Sequence, residues 1–233
     1  IMLLFEKAQK GYGTKKALED INFGFEKGKV YALVGPNGSG KSTLMKTAAG
    51  LVKLTSGKCT YNGVEIGAAT KSKIAYMCTE PFYYDWMRIV DVKKFYKDFF
   101  EDFDTNKFDE LLKFMELTPD LKVKRLSSGM AAKLKIAATL ARNAEVIMLD
   151  EPLNGIDLIG REQIINSIIK ATNPETTLII SSHLFDELEP IVDDAVMLKD
   201  GKLILAGNLE TIRENNGKSI VELYKEIYGF HNA

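Results

Sequence analysis

The sequence has little cysteine, no long apolar run and no charge imbalance, and each feature argues against a class of protein. Its 233 residues include two cysteines, Cys59 and Cys78, whose spacing is not that of metal ligands. The best apolar stretches, such as Val146 to Leu149, fall short of the roughly 18 residues that a membrane-spanning helix needs. The 31 basic residues balance 32 acidic ones, so no overall field attracts nucleic acid or an anionic membrane.

The first residues, Ile1 to Lys7, lack the basic segment, long apolar core and small-residue cleavage site of a secretory signal. The two cysteines are compatible with reduced thiols, which favours the cytoplasm. With 45% hydrophobic and 27% charged residues, the chain has the composition of an ordinary globular protein. We therefore expect a cytoplasmic protein of one domain, or of one domain with a lobe.

Local patterns predict a mixture of strands and helices. Alternating residues around Phe5 and at Ile21 to Phe25 predict antiparallel strands. In the first third of the chain, the patterns predict a strand at Val30 to Val34, a helix at Lys41 to Ala49 that Gly50 ends, a hairpin turning at Asn62 and Gly63, and a strand at Lys73 to Cys78. Further on, they predict a helix from Leu126 capped near Asn143, and strands at Val146 to Asp150 and Thr177 to Ser181 separated by a helix after Asp157. A hairpin at Asp200 and Gly201 and a polar helical tail follow. Short apolar strands that alternate with helices favour an α/β core with parallel strands.

One segment is rich in aromatic residues. Eleven of the 22 aromatics lie between Phe82 and Phe114, among acidic and basic residues at roughly helical intervals. This pattern predicts a helical lobe. Five of the rings follow helical spacing and are candidates for its core, namely Phe95, Tyr96, Phe99, Phe100 and Phe103.

A phosphate-binding loop is the strongest signal in the chain. The residues Gly35, Pro36, Asn37, Gly38, Ser39, Gly40, Lys41, Ser42 and Thr43 fit G-x-x-x-x-G-K-[ST], between a predicted strand and a predicted helix. Glycines let backbone N–H groups turn inward around a phosphate, and the helix N-terminus adds partial positive charge. We expect Lys41 to reach the β- and γ-phosphates of ATP and Ser42 to bind Mg²⁺.

A pair of carboxylates ends the apolar strand Val146 to Asp150. Parallel strands of an α/β sheet point their carboxyl ends toward the ligand crevice, so Asp150 and Glu151 are expected there. This is a Walker B pattern. We expect Asp150 to hold Mg²⁺, directly or through water, and Glu151 to act as the general base on the attacking water.

Between these motifs, the segment from Leu126 to Met130 resembles the Leu-Ser-Gly-Gly-Gln signature of ATP-binding cassette (ABC) proteins. Ser127 and Gly129 match that signature, whereas Ser128 and Met130 depart from it. In this family the signature opens a helix and closes on the γ-phosphate bound by a second cassette. The resemblance extends from about Tyr12 to Leu205 and implies a second ABC subunit, identical or different, as partner.

Other family positions occur in the expected order. Tyr12 stands where the family places an aromatic against adenine, and Asn154 to Asp157 resembles the loop that meets the partner cassette. Ser181-Ser182-His183 resembles the switch segment, in which His183 contacts the γ-phosphate and the attacking water. Where the family carries a metal-sensing Gln, this chain has Thr79, which is shorter and needs a bridging water or a backbone shift to meet the Mg²⁺ shell.

The resemblance implies a P-loop NTPase core with a mainly parallel sheet, an N-terminal antiparallel β subdomain and a helical signature lobe. The core would comprise about 1–72 and 144–233, and the lobe about 80–143, of one nucleotide-binding domain. The implied function is ATP hydrolysis that drives transport, with export favoured, through a separate transmembrane permease subunit. The chain itself would be cytoplasmic and peripheral on the inner face of the cell membrane. Tyr84 and Trp86 are candidates for the docking surface.

Two alternatives stay open at this point. A nucleotide-binding subunit with slow or degenerate hydrolysis in a heterodimer is motivated by Thr79, Ser128 and Met130. An ABC ATPase acting on ribosomes or nucleic acid is the other, but such proteins generally carry two cassettes or a long coiled-coil insertion, and neither pattern is seen here. No nucleic-acid partner is therefore expected.

Overall fold

The strands and helices follow one another in the order that the sequence predicts. The computed structural model describes residues 1–80, 82–183 and 185–229. The strands are β1 (Leu3–Tyr12), β2 (Lys15–Phe25), β3 (Val30–Val34), β4 (Ser56–Tyr61), β5 (Val64–Glu65), β6 (Ile74–Met77), β7 (Val146–Asp150), β8 (Thr177–Ser182), β9 (Asp194–Lys199) and β10 (Lys202–Asn208). The helices are α1 (Lys41–Ala48), α2 (Ile89–Phe99), α3 (Thr105–Phe114), α4 (Ser128–Leu140), α5 (Leu158–Ala171), α6 (Phe185–Leu188), α7 (Leu209–Asn216) and α8 (Ile220–Tyr228).

The strands form two sheets. Strands β2-β1-β4-β5 make an antiparallel sheet, in that order. The second sheet has the order β10-β9-β3-β8-β7-β6, in which every neighbouring pair is parallel except β9 with β10. Both the antiparallel N-terminal region and the mainly parallel core are thus confirmed.

The central sheet is buried on both faces by residues that alternate along its strands. On β3, Ala32 and Val34 belong to the apolar cluster that includes the helices α2 to α8, whereas Tyr31 and Leu33 belong to the cluster formed with α1 and the antiparallel sheet. Side chains of a strand point alternately to opposite faces, which produces this division. Near-continuous apolar strands such as Val146–Asp150 follow from burial on both sides.

The carboxyl ends of three adjacent strands place the site. Strands β3, β8 and β7 lie side by side, and each is followed by one of the predicted motifs: Gly35, His183 and Glu151, respectively. Because parallel strands end at the same edge of a sheet, the three motifs converge there, although Gly35 lies more than a hundred residues before the other two in sequence.

The helix that carries the signature starts later than predicted. Helix α4 begins at Ser128 and not at Leu126, because the side chain of Ser127 caps the helix by accepting a hydrogen bond from the backbone N–H of Met130 at 3.2 Å. The same helix ends at Leu140 and is not capped near Asn143, whose N–H donates to the carbonyl of Asp102 at 2.9 Å.

Two further boundaries in the predicted lobe and sheet are corrected. The lobe is helical only from Ile89, because residues 82–87 form an irregular segment with a bend and a turn, and Arg88 forms an isolated bridge with Lys122. Strand β2 begins at Lys15, well before Ile21, because it pairs along the whole of β1.

Phe99 was expected in the core of the lobe but is 70% exposed. Helix α2 ends at this residue, and the ring of Phe99 packs against Phe95 at the surface. The boundaries of the two-part domain division stay a prediction.

Candidate nucleotide-binding site

The phosphate loop is a tight cradle between β3 and α1. Gly40 has φ +112°, and a Cβ at this position would lie 2.5 Å from the carbonyl oxygen of Ala17. A Cβ on Gly35 would lie 2.4 Å from the carbonyl oxygen of Leu198. Both distances are shorter than real Cβ contacts, so glycine is required at both positions. The loop shape therefore depends on the spacing of its glycines.

Lys41 extends back over this loop. Its ammonium donates to the carbonyl oxygens of Gly35 at 2.7 Å and Pro36 at 3.3 Å, and it lies 3.3 Å from Oε1 of Glu151. The side chain is only 6% exposed. This places a buried positive charge between the loop and the carboxylate at the end of β7.

A buried hydroxyl in the same loop has no hydrogen-bond partner in the described part of the chain. Ser39 is 2% exposed, and its Oγ neither donates nor accepts a hydrogen bond there. A buried polar atom without a partner is costly, and native structures generally satisfy such atoms with protein, water or ligand. The orphaned hydroxyl and the inward-turning glycines fit a loop that binds phosphate oxygens.

Asp150 is fully buried and held by two hydroxyl groups. Tyr76 on β6 donates to its Oδ2 at 3.0 Å, and Ser181 on β8 donates to its Oδ1 at 2.6 Å. Burial, together with the negative charge of Asp150, raises the pKa of Tyr76 far above its ordinary value, so the phenol stays a donor. The two flanking strands thus fix the orientation of this carboxylate.

Glu151 occupies a strained backbone position beside it. Its φ is +50°, which is uncommon for a residue with a side chain, and its N–H donates to Oγ of Ser181 at 2.9 Å. The carboxylate is mostly buried and bridges two groups, with Oε1 3.3 Å from the ammonium of Lys41 and Oε2 2.8 Å from Nδ1 of His183. The loop lysine, the strand-end glutamate and the switch histidine therefore form one connected group.

The remaining predicted residues lie apart from this group. Ser127 is exposed, and among the described residues no hydrogen bond or ion pair joins it or Gly129 to the phosphate loop of the same chain. Tyr12 ends β1 with half of its surface exposed and the ammonium of Lys10 lies 4.9 Å from its ring centroid. Asn37 is exposed in the loop, while Ser42 and Thr43 lie half-buried in the first turn of α1.

Thr79 is exposed, and its hydroxyl donates to Oε2 of Glu80 at 3.3 Å. Oε1 of Glu80 accepts a hydrogen bond from Lys46 of α1 at 2.6 Å, and this hydrogen bond holds the pKa of Glu80 below its ordinary value. The ammonium of Lys135 donates to the carbonyls of Cys78 and Thr79, both at 2.9 Å. The segment in place of the family's Gln is thus anchored to α1 and α4.

Sequence reasoning assigned no role to Tyr76, to Ser181 as a ligand of Asp150, or to the pair formed by Lys46 and Glu80. Tyr76 reaches Asp150 only because β6 pairs with β7, about 70 residues further along the chain. No local sequence pattern predicts such a contact. The pairing of Lys46 with Glu80 had a weak signal, since Lys46 lies on the predicted helix after the loop.

The fold and the site define a P-loop nucleotide-binding protein. The sequence model described as "ABC transporter" matches residues 18–154, which is more than half of the chain. The chain therefore belongs to the ABC transporter family, and the resemblance drawn from its motifs is confirmed.

Similar proteins agree with this membership. The chain is 35% identical over 221 residues to the "Lantibiotic transport ATP-binding protein SrtF" of Streptococcus pyogenes, with 92% of this chain and 96% of the relative covered. It is 30% identical over 231 residues to the "Linearmycin resistance ATP-binding protein LnrL" of Bacillus subtilis, with 95% and 74% covered.

Solved structures have the same fold. One ATP-binding subunit of an ABC transporter superposes with a TM-score of 0.88 at 25% identity and covers 97% of this chain, and 99% of that chain is matched. A dimeric bacterial ABC transporter cassette, MJ0796, has a TM-score of 0.80 at 22% identity, with 89% and 99% covered, and supports the fold alone. The P-loop core with a mainly parallel sheet is therefore confirmed. None of the described helices is long and apolar enough to cross a membrane.

Proposed function

We propose that this chain is the ATP-hydrolysing subunit of an ABC transporter that exports its cargo through a separate transmembrane permease. The observation that carries the proposal is the single connected group of Lys41, Glu151 and His183 beside the phosphate loop. A general base must be held where it can reach the proton that it abstracts. Glu151 is held through Oε2 by a hydrogen bond with Nδ1 of His183 at 2.8 Å and through Oε1 by an ion pair with the ammonium of Lys41 at 3.3 Å.

The residues divide the chemistry among them. The loop N–H groups, with Ser39, Gly40 and Lys41, bind and orient the phosphates, and Tyr12 offers an exposed ring to the adenine. Glu151 accepts a proton from the attacking water, while His183 holds its carboxylate from the other side. The buried, positively charged Lys41 offsets the negative charge of this carboxylate.

Mg²⁺ would be held by Ser42 and Asp150, with Thr79 reaching its shell through water. The residues fit, because Mg²⁺ takes oxygen ligands and is commonly bound by one or two protein groups together with substrate phosphates. In residues 1–80, 82–183 and 185–229, no cluster of three His, Cys, Asp or Glu side chains offers an all-protein metal cage. When bound, Mg²⁺ would neutralise charge on the phosphate oxygens.

A second cassette would complete the site. Ser127 is exposed at the start of α4, where a hydroxyl and free N–H groups are suited to a phosphate held by another subunit. The loop that resembles the partner-contacting segment leads to two exposed apolar residues of α5, Leu158 at 77% and Ile159 at 81%. Large exposed apolar side chains placed together favour burial in an interface.

The permease would dock on the lobe. Tyr84 and Trp86 are 65% and 67% exposed, and their rings stack at 5.9 Å, which presents a flat aromatic surface before α2. Aromatic side chains of this kind anchor protein interfaces. Export is favoured by the similar SrtF and LnrL proteins, whose names describe lantibiotic transport and linearmycin resistance. The chain would then lie on the inner face of the membrane.

Co-purification tests this function. An affinity-tagged chain isolated from its native cells in mild detergent is expected to retain a multi-span membrane protein and to hydrolyse ATP with it. Recovery of ribosomes or nucleic acid in place of a membrane protein contradicts the transport function. Recovery of a permease together with a different, active cassette would instead support the slow-hydrolysis alternative that the exposed Thr79 motivates.

A further inference from the structure

Helix α8 lies outside residues 18–154, which the family model matches. It packs against two elements that border the nucleotide site, the helix α6 and the strand β9. It begins with a capping box in which Ser219 and Glu222 bond to each other's backbone N–H groups. Its apolar residues Ile220 and Leu223 are buried in the same cluster as Phe185 and Leu188 of α6. Helix α8 therefore packs against the short helix that follows the switch histidine.

One end of α8 reaches the strand beside the phosphate loop. The phenol of Tyr228 donates to the carbonyl oxygen of Leu198 at 3.0 Å. A Cβ on Gly35 would lie 2.4 Å from this same carbonyl oxygen. The carbonyl therefore lies directly against the backbone of Gly35, where the phosphate loop begins. Lys199 donates to the carbonyl of Ile227 at 2.7 Å and anchors the end of the helix to β9.

The other contact of α8 is on the switch side. The ring of Tyr224 lies 4.5 Å from that of Tyr228 and packs against the cluster that contains α6. Burial raises the pKa of Tyr224, and the negative charge of Glu151 raises it further. Helix α6 begins two residues after His183, whose ring bonds to Glu151.

We propose that α8 is a brace behind the nucleotide site, in which Tyr228 positions the phosphate loop through Leu198 and Tyr224 positions the His183–Glu151 pair through α6. The proposal rests on the proposed ATPase function. Both tyrosines are positioning residues, because each acts through another group. They have separate effects: Tyr228 supports nucleotide affinity, and Tyr224 supports the hydrolytic step.

The test compares the effect of each tyrosine substitution on the affinity for ATP with its effect on kcat. Loss of one neutral hydrogen bond in Tyr228→Phe is expected to weaken ATP binding about threefold to tenfold with kcat little changed. Tyr224→Ala is expected to lower kcat by about tenfold, because a small displacement of a catalytic group is costly, with the Kd for ATP little changed. Tyr224→Phe keeps the ring and is expected to restore kcat.

Ile227→Ala is the matched control, since Ile227 lies half-buried on the same helix and its backbone carbonyl is retained. It is expected to lower the Tm without the affinity or turnover change. The proposal is overturned if the tyrosine variants alter neither Kd nor kcat, or if Ile227→Ala alters them as much as the tyrosine variants do at an equal loss of Tm.

A second measurement does not depend on turnover. Hydrogen exchange of the backbone amides at 185–188 is expected to accelerate in Tyr224→Ala and to stay unchanged in Ile227→Ala. If the wild-type chain neither binds nor hydrolyses ATP, the proposed function fails, while the exchange result still decides the brace. Equal exchange in the two variants overturns the positioning of α6 by Tyr224.

Discussion

Replacing Tyr76 by Phe removes one of the two hydroxyl donors that hold the buried carboxylate of Asp150. The lost contact is 3.0 Å long and joins a donor to a charged acceptor on a fully buried side chain. Hydrogen bonds to charged groups contribute about 1.5–3 kcal/mol. The substitution leaves Oδ2 of the buried carboxylate without the hydrogen bond from Tyr76. We expect Tyr76→Phe to lower the free energy of unfolding by this amount.

For a chain of this size, a loss of 1 kcal/mol lowers the Tm by about 2–4 °C, so the shift is expected to be about 3–12 °C. Urea unfolding gives the free energy directly, provided that m is unchanged. ATP turnover is expected to fall as well, since Asp150 is no longer fixed from both strands.

Tyr83→Phe is the control. Tyr83 and Tyr76 line one cavity of about 280 Å³, but the phenol of Tyr83 is hydrogen-bonded to the neutral phenol of Tyr96 at 3.4 Å. Loss of this long, neutral contact is expected to cost less than about 1 kcal/mol. The reasoning is refuted if Tyr76→Phe unfolds at the same urea concentration as Tyr83→Phe and turns over ATP at the wild-type rate.

Two other substitutions or reagents report on single features. Gly40→Ala is expected to abolish ATP binding and to destabilise the fold by about 1–3 kcal/mol, since φ is +112° and the new Cβ meets the carbonyl of Ala17; normal binding by equilibrium dialysis contradicts this. Burial raises the pKa of Cys59 to about 12, so at neutral pH a thiol reagent is expected to label Cys78 first and Cys59 only in urea. Labelling of Cys59 in the native protein at a similar rate shows that the thiol is accessible.

Sequence reasoning worked where a local pattern carries the information. In the phosphate loop, glycine is required at Gly35 and Gly40 because a Cβ at either position would meet a neighbouring carbonyl, that of Leu198 or of Ala17. Strand β7 was recognisable because burial on both faces demands an apolar run, and because the two acids of the site stand at the end of this run. The place of the acids at the carboxyl end of a predicted parallel strand then predicted that they face the ligand crevice.

Contacts between segments far apart in sequence could not be predicted. The bond from Tyr76 to Asp150 depends on which strand lies next to β7, and a single sequence does not give that order. Phe99 matched the helical spacing of the core, but its exposure depends on where α2 ends. Helix α8 was predicted only as part of a polar helical tail, although Ser219 and Glu222 carry a capping pattern. The roles of Tyr224 and Tyr228 require the packed structure.

The measurement that tests the central claim most directly is ATP turnover by the chain and its Glu151→Gln variant, as a function of protein concentration with Mg²⁺, while light scattering records the molar mass. Glu145→Gln is the matched control at the other end of β7, where Glu145 bonds to Tyr61 and Lys73. We predict that turnover rises with concentration, that Glu145→Gln retains it, and that Glu151→Gln loses about 10²- to 10⁴-fold while an ATP-bound dimer accumulates. Turnover by Glu151→Gln at the rate of Glu145→Gln contradicts the assignment of Glu151 as the general base.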